Sequence, residues 1–317
     1  MLIAAENIDH LQCLEIQGRG LPRGVKGPLY EAVRAVHDKP LVLAAVEILD
    51  RDPAHIGIVS GAAVPDHMPA GENDGPLGTA VLARVLTRIG HRVTVYTDPA
   101  AADAFRVLIE RYGLDVPVVE LTLHDAKQQE DIANEIDIAV AVERLGGNVN
   151  GIIYGATGVS RQDFRCNVDH LFRTASALGK PTLSIADGGN EIGFGKVHAV
   201  LAETMPALNK ADITPCGGGI VSVVPTDVLV MATSSNLGCY GVCAALAVKR
   251  DDPALCHTPE EEIALEHIGV GLGLTDGGTG QRIAAVDGVP VADNAAVVTL
   301  MQAIVARALT SDIERGF

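Results

Sequence analysis

The chain has 317 residues, 48% of them hydrophobic and 20% charged, a globular composition that excludes a disordered chain or a coiled coil. Its 24 Lys and Arg against 40 Asp and Glu leave a formal charge of −16, which repels phosphate backbones and anionic lipid surfaces, so neither nucleic acid nor a membrane is an expected partner. The opening Met1-Leu2-Ile3-Ala4-Ala5-Glu6 has an early acid and no basic run, so no targeting segment is expected and the cytoplasm is the expected compartment.

In chain order, a helical stretch from Leu29 to Leu49, interrupted at Pro40, makes residues 1–52 an N-terminal helical extension. Ile56 to Val59 then reads as a strand, and Leu77 to Ile89 as a helix with apolar positions at 77, 81, 82, 85, 86 and 89. Arg92 to Tyr96 is the next strand, Ala100 to Tyr112 a helix, Val116 to Leu121 a strand, Asp125 to Asn134 a helix and Ile136 to Val142 a strand. Further strands are expected near Ile152-Ile153, at Thr182 to Ile185 and at Val228 to Met231, with a helix from Leu237 to Val248. Arg282 to Val286 and Val289 to Val291 form a hairpin on the turn Asp287-Gly288, and a helix runs from Ala295 to Leu309. Repeated strand–helix units imply a mostly parallel sheet covered on both faces. Residues 53–317 are therefore expected to form one α/β domain, a Rossmann-like three-layer sandwich with a C-terminal hairpin.

The least charged stretch, Gly217 to Val248, is broken by Pro225-Thr226-Asp227 and Ser234-Ser235-Asn236 into lengths too short to span a bilayer. Cysteines stand at 13, 166, 216, 239, 243 and 256 with no Cys-x-x-Cys pair. Cys239 and Cys243, one helical turn apart, read as buried thiols rather than metal ligands. Ser160, Ser184 and Ser222 lack a nucleophile-elbow setting.

In open parallel sheets ligands bind beyond the carboxyl ends of the strands, and four such exits carry polar groups. After the first strand, Glu72-Asn73-Asp74-Gly75 precedes the helix at Pro76; this is either an Asp cap with Pro in the first turn or a ligand site at a helix N-terminus. A dinucleotide site is a variant, since Asp98 ends the following strand, but the glycines do not fit Gly-x-Gly-x-x-Gly. Glu143 and Arg144 leave the strand ending at Val142. Asp187-Gly188-Gly189-Asn190-Glu191, with Lys196 beyond, leaves the strand at 182–185, and a cap explains only one of its acids. Ser234-Ser235-Asn236 is the fourth exit.

With these loops the chain resembles the D-glutamate cyclase family, in the catalytic part that forms the C-terminal region of the longer vertebrate proteins. The blocks are NDGPLGTA (73–80), VAVERLGG (140–147), ADGGNEIGFGKV (186–197), SSNLGCYG (234–241) and AVDGVPVADNA (285–295). The third is the most specific. The chain departs from the family's usual pattern at Asn73, where Thr is common, and at Leu237, where an aromatic is common. The resemblance implies a lyase that closes D-glutamate to 5-oxo-D-proline with loss of water, and a manganese or magnesium ion held by hard oxygen ligands. A small amino acid is then the partner, no nucleotide cofactor is expected, and assembly into a homo-oligomer is left open. Asp187, Glu191 and Asp74 become the expected metal ligands or acid–base groups, with Glu143 as a second candidate base. Gly75, Asn190 and the amides of Gly188 and Gly189 would hold substrate oxygens, and Arg144, Lys196 and Asn236 would clamp the α-carboxylate. Two other readings stand beside this one: a related lyase or transferase on another small amino or hydroxy acid, and a non-catalytic ligand-binding α/β protein.

Overall fold

Three helices open the chain, α1 (Leu2–Gln12), α2 (Lys26–Ala35) and α3 (Leu41–Leu49), the last two parted by Pro40. Strands and helices then alternate: β1 (His55–Ser60), α4 (Pro76–Arg88), β2 (Arg92–Thr97), α5 (Ala102–Glu110), β3 (Val118–Glu120), α6 (Ala126–Glu135), β4 (Ile138–Val142), α7 (Asp169–Ala177) and β5 (Thr182–Ala186). The short helices α8 (His198–Thr204) and α9 (Pro206–Asn209) lead to β6 (Val228–Met231) and α10 (Ser235–Arg250). Helix α11 (Pro259–Leu272), a hairpin of β7 (Ala285–Val286) and β8 (Val289–Pro290), and α12 (Val291–Leu309) complete the order. This is a computed structural model, and it describes residues 1–17 and 23–310; residues 18–22 of the expected extension and 311–317 of the expected domain lie outside the described residues.

The six main strands form one parallel sheet in the order β3-β2-β1-β4-β5-β6, so the fold is the α/β three-layer, Rossmann-like sandwich. Alternation along the strands explains the two layers of helices. In β4, Ile138, Val140 and Val142 enter the larger core with α3, α4 and α10, while Ala139 and Ala141 enter the smaller core with Leu171 and Phe172 of α7. Small residues on the second side let α6 and α7 lie close to the sheet.

The N-terminal helices belong to the larger core. Helix α3 is apolar on nearly every face, with Leu41, Val42, Val46 and Leu49 buried, and such a helix needs cover all round. It receives it from α1, α10 and β6, and Gln12 Nε2 donates to the Met231 carbonyl at 2.9 Å. A boundary at residue 52 therefore does not separate two cores.

The expected strand near Ile152-Ile153 is absent. Its backbone is satisfied locally instead: Ile152 N donates to Asn148 Oδ1 at 3.2 Å and Ile153 N to Gln162 Oε1 at 3.3 Å. Cys239 and Cys243 are buried thiols on α10, as expected. Helix α12, 19 residues with a mean hydropathy of 1.2, is the one described helix long and apolar enough to cross a membrane; it packs on α1, α10 and α11.

Candidate active site

Strand order reverses between β1 and β4, which opens a crevice at their carboxyl ends. The loop after β1 brings Asp74 to its edge, β4 leads directly to Glu143, β5 to Asp187, and β6 through a short link to Ser234 to Asn236 at the start of α10. The N-termini of α4 and α10 meet there and cap each other. Asp74 Oδ2 accepts from Ser235 N and Oδ1 from Asn236 N, both at 2.8 Å. In return Asn236 Oδ1 accepts from Gly75 N at 3.0 Å and Gly78 N at 2.7 Å, while its Nδ2 donates to Asn73 O at 3.0 Å. Each polar side chain thus satisfies the orphan N–H groups of the other's helix. Asp74 is a cap after all, but across the cleft, and that holds its carboxylate at the junction.

Glu143 lies in the left-handed region at φ +48°, a strained setting for a residue with a Cβ. Its Oε2 accepts from Ser235 Oγ at 2.6 Å. The close approach needs Gly75, at φ +95°, because a Cβ there would lie 2.9 Å from the Glu143 Cβ. Asp187 is paired with the buried Lys26 at 2.5 Å, and the same ammonium donates to the Asp187 carbonyl at 2.9 Å. Glu191 is folded back, Oε1 accepting from Gly188 N at 2.9 Å, and its buried Oε2 has no partner. Oxygens of Asp74, Glu143 and Asp187 lie within 4.8 Å of one another; a set made only of carboxylates suits a hard divalent cation. Asp287, on the β7–β8 turn at φ +49°, and Glu72 complete the cluster.

Six carboxyl groups around one lysine cannot all ionise freely. Burial lifts Glu143 well above the carboxylate range, helped by the charges of Asp187 and Glu191. Asp287 is raised likewise, by burial and then by Asp187 and Asp74. Burial takes Glu72 to about 8 against the opposing charge of Arg165, and Glu191 to about 8 with Asp187 adding to the rise. Asp74 stands at about 7, raised by burial and Asp187 and eased by the N–H groups of Asn236 and Ser235. Asp187 alone is held low: burial raises it, but the charge of Lys26 and its hydrogen bond outweigh that.

Other expected site residues are engaged elsewhere. Arg144 is buried and bidentate on Asp98, Nη1 to Oδ2 at 2.5 Å and Nη2 to Oδ1 at 3.1 Å, with further bonds to the carbonyls of Gly61 and Cys166; it has no reach left for a substrate. Lys196 donates to the Asp227 carbonyl, just before β6 and so at the opposite end of the sheet. Asn190 Nδ2 holds the Tyr154 carbonyl at 2.9 Å. Gly188 N serves Glu191, and Gly189, at φ +99°, shapes the turn, its carbonyl accepting from Ser222 N at 3.0 Å. Asn236 is fully used as a cap. Lys26, Glu72, Ser235 and Asp287 are brought in without having been assigned a role in the site, although Glu72 and Ser235 were named at strand exits. Ser235 and Asp287 lie inside blocks already quoted, whereas Lys26, 161 positions from Asp187, gave no local signal.

A surface groove of about 670 Å³ between α1 and α12 is lined by none of these carboxylates. An α/β fold with buried carboxylates at its switch point is the setting of a small-molecule site. The family model described as D-glutamate cyclase-like, C-terminal, matches residues 22–302. The chain belongs to that family. Human D-glutamate cyclase, mitochondrial, is 26% identical over 198 residues, which cover 58% of this chain and 31% of that protein, so the chain matches less than a third of that relative's length. Among solved structures, a short-chain dehydrogenase/reductase from Serratia marcescens is 14% identical over 50% of this chain and 68% of its own, with a TM-score of 0.29. LigD in its apo form from a Sphingobium species is 13% identical over 68% of this chain and 94% of its own, with a TM-score of 0.31. Both likenesses are too loose to inform the site.

Proposed function

We propose that this member of the family is a lyase that closes D-glutamate to 5-oxo-D-proline and water. The observation that carries the proposal is the surplus of buried carboxyls, three of them with values of about 7 to 8, beside a single paired lysine at the sheet's switch point. Ring closure forms a bond from the α-nitrogen to the side-chain carboxyl carbon and breaks one carbon–oxygen bond there. Two protons leave the ammonium nitrogen, and both depart with the oxygen as water.

A group that accepts and returns protons at neutral pH is therefore needed. Glu191 answers to it, with a value of about 8 and a buried, unpartnered Oε2. Asp187, kept ionised by Lys26, draws the substrate ammonium toward Glu191. Ser235 and Gly75 hold the Glu143 carboxylate in place, and the paired caps of Asp74 and Asn236 lock the two helix N-termini around it. A manganese or magnesium ion held by Asp74, Glu143 and Asp187 would polarise the carboxyl under attack. The six unpaired thiols support a reducing compartment such as the cytoplasm.

The test is to incubate the protein with D- and L-amino acids and small hydroxy acids, with and without Mn²⁺, and to follow ring closure by NMR. Conversion of D-glutamate alone supports the proposal. Turnover of a different acid assigns the family's chemistry to another substrate, and binding shifts without product make the chain a ligand-binding protein.

A further inference from the structure

A substrate with a second carboxylate needs a cation in this cleft, and the obvious ones are occupied. Lys26 is held by Asp187, Arg144 by Asp98 and Lys196 by a carbonyl at the other end of the sheet. Arg165 is different. It is only 5% exposed, yet its guanidinium makes a single hydrogen bond, Nη2 to Gly61 O at 3.1 Å, and forms no ion pair with a described residue. Its Nε is buried without a partner. A buried guanidinium offers five donors and is normally matched by acceptors. Gly61 directly follows β1, which places this group at the switch-point crevice. The carboxylate that most favours its charge is Glu72.

Arg161 lies one helix-like turn earlier, with Arg165 N donating to Arg161 O at 3.0 Å. It too has no ion pair among the described residues, and Glu72 is the carboxylate that favours its charge. Its guanidinium lies flat over Gly155, where a Cβ would come within 2.7 Å of Nη2; a side chain at 155 would push it away.

We infer that Arg165, with Arg161 beside it, forms an anion subsite on the β1 side of the crevice that takes the carboxylate of the substrate not being attacked. The class of ligand is a small dicarboxylate, one end among the acids and the other on the arginine pair, in the bidentate geometry a guanidinium offers. In assigning the α-carboxylate of D-glutamate to this subsite, the inference rests on the proposed function, but the subsite itself is testable without turnover.

Glutarate, a dicarboxylate without an amine, is titrated into the protein and into Arg165→Gln, Arg165→Lys and Arg161→Gln, with thermal stabilisation as the readout. The expected result is stabilisation of the wild type, its loss in Arg165→Gln, a partial return in Arg165→Lys and a weaker response in Arg161→Gln. With D-glutamate, KM should rise roughly 10- to 100-fold in Arg165→Gln with a smaller change in kcat, as loss of charge-assisted hydrogen bonds produces. Loss of glutarate binding in a protein that never turns over D-glutamate supports the subsite and sinks only the proposed reaction. Absent glutarate binding in the wild type, or unchanged binding in Arg165→Gln, overturns the subsite. Arg161→Gln, on a half-buried side chain, keeps the test readable should Arg165→Gln fail to fold; unchanged binding there would then overturn it.

Discussion

Glu143 and Arg144 leave the same strand and meet opposite fates. Arg144 closes a balanced pair with Asp98, in which burial would raise the carboxyl but the guanidinium and the Cys166 N–H hold it low. Both Nη groups of Arg144 have acceptors. One position earlier, Glu143 belongs to a cluster of six carboxyls around one lysine already bound to Asp187. The first region is neutral and saturated, so it is structure; the second is short of positive charge, so it has capacity for a cation, a proton or a cationic substrate. Burial alone does not tell the two apart, since both pairs are nearly inaccessible.

Breaking the two pairs should separate them. Arg144→Met leaves Asp98 buried without a counter-ion and should lower stability by ~3–5 kcal/mol in urea unfolding, with part of the loss recovered when Asp98→Asn is added. Lys26→Met should cost less, ~1–3 kcal/mol, because the carboxyls around Asp187 can redistribute protons, while ring closure should collapse. Equal losses from the two substitutions would erase the distinction.

Titration sharpens it further. Asp74, Glu72 and Glu191 have folded values of about 7, 8 and 8, above the ~4 of an unfolded chain. Below pH about 4 both states hold these protons. Between about 4 and 8 the unfolded chain releases protons that the folded chain keeps on these three groups, so the stability they contribute is greatest at the acid end and falls as pH rises. Asp98 and Asp187, held low, act in the other sense and only in more acid solution. In chelator the thermal midpoint should therefore drop from pH 5 to pH 8, and Mn²⁺ should flatten the slope because it binds the ionised carboxylates. A midpoint that rises with pH in chelator would contradict the charge surplus.

The smallest effect is expected at Asn73. Its amide donates to the carbonyls of Ile283 at 3.2 Å and Ala285 at 2.9 Å, tying the site loop to the β7–β8 hairpin. Thr has one donor, so Asn73→Thr should cost about 1 kcal/mol, read as a shift in the urea midpoint. Leu237 is likewise explained by packing, since it is buried in the larger core on α10.

The sheet was legible because short apolar runs such as those of β1, β4 and β5, buried along their whole length, are a local property. Strand exits were legible as well, and Asp74, Glu143, Asp187 and Glu191 do gather at one crevice. What could not be read was pairing between distant positions. Arg144 finds Asp98 at a separation of 46 residues and Asp187 finds Lys26 at 161, and neither follows from neighbours in the chain. Ile152-Ile153 looked like a strand because apolar β-branched residues signal extension, but the side chains of Asn148 and Gln162 took the backbone bonds first. Helix α11 went unmarked although Thr258 caps Glu261 N and Pro259 fills its first turn, a capping signature open to reading.

The central claim is that the charge-poor cluster, and not the balanced pair, does the chemistry. It is tested most directly by NMR of D-glutamate ring closure in Mn²⁺, comparing the wild type with Glu191→Gln at matched urea midpoints. The account predicts product from the wild type and a fall of ~10²-fold or more in kcat for Glu191→Gln, with the fold intact. Turnover by Glu191→Gln at the wild-type rate, or no ring closure by the folded wild type, would contradict it.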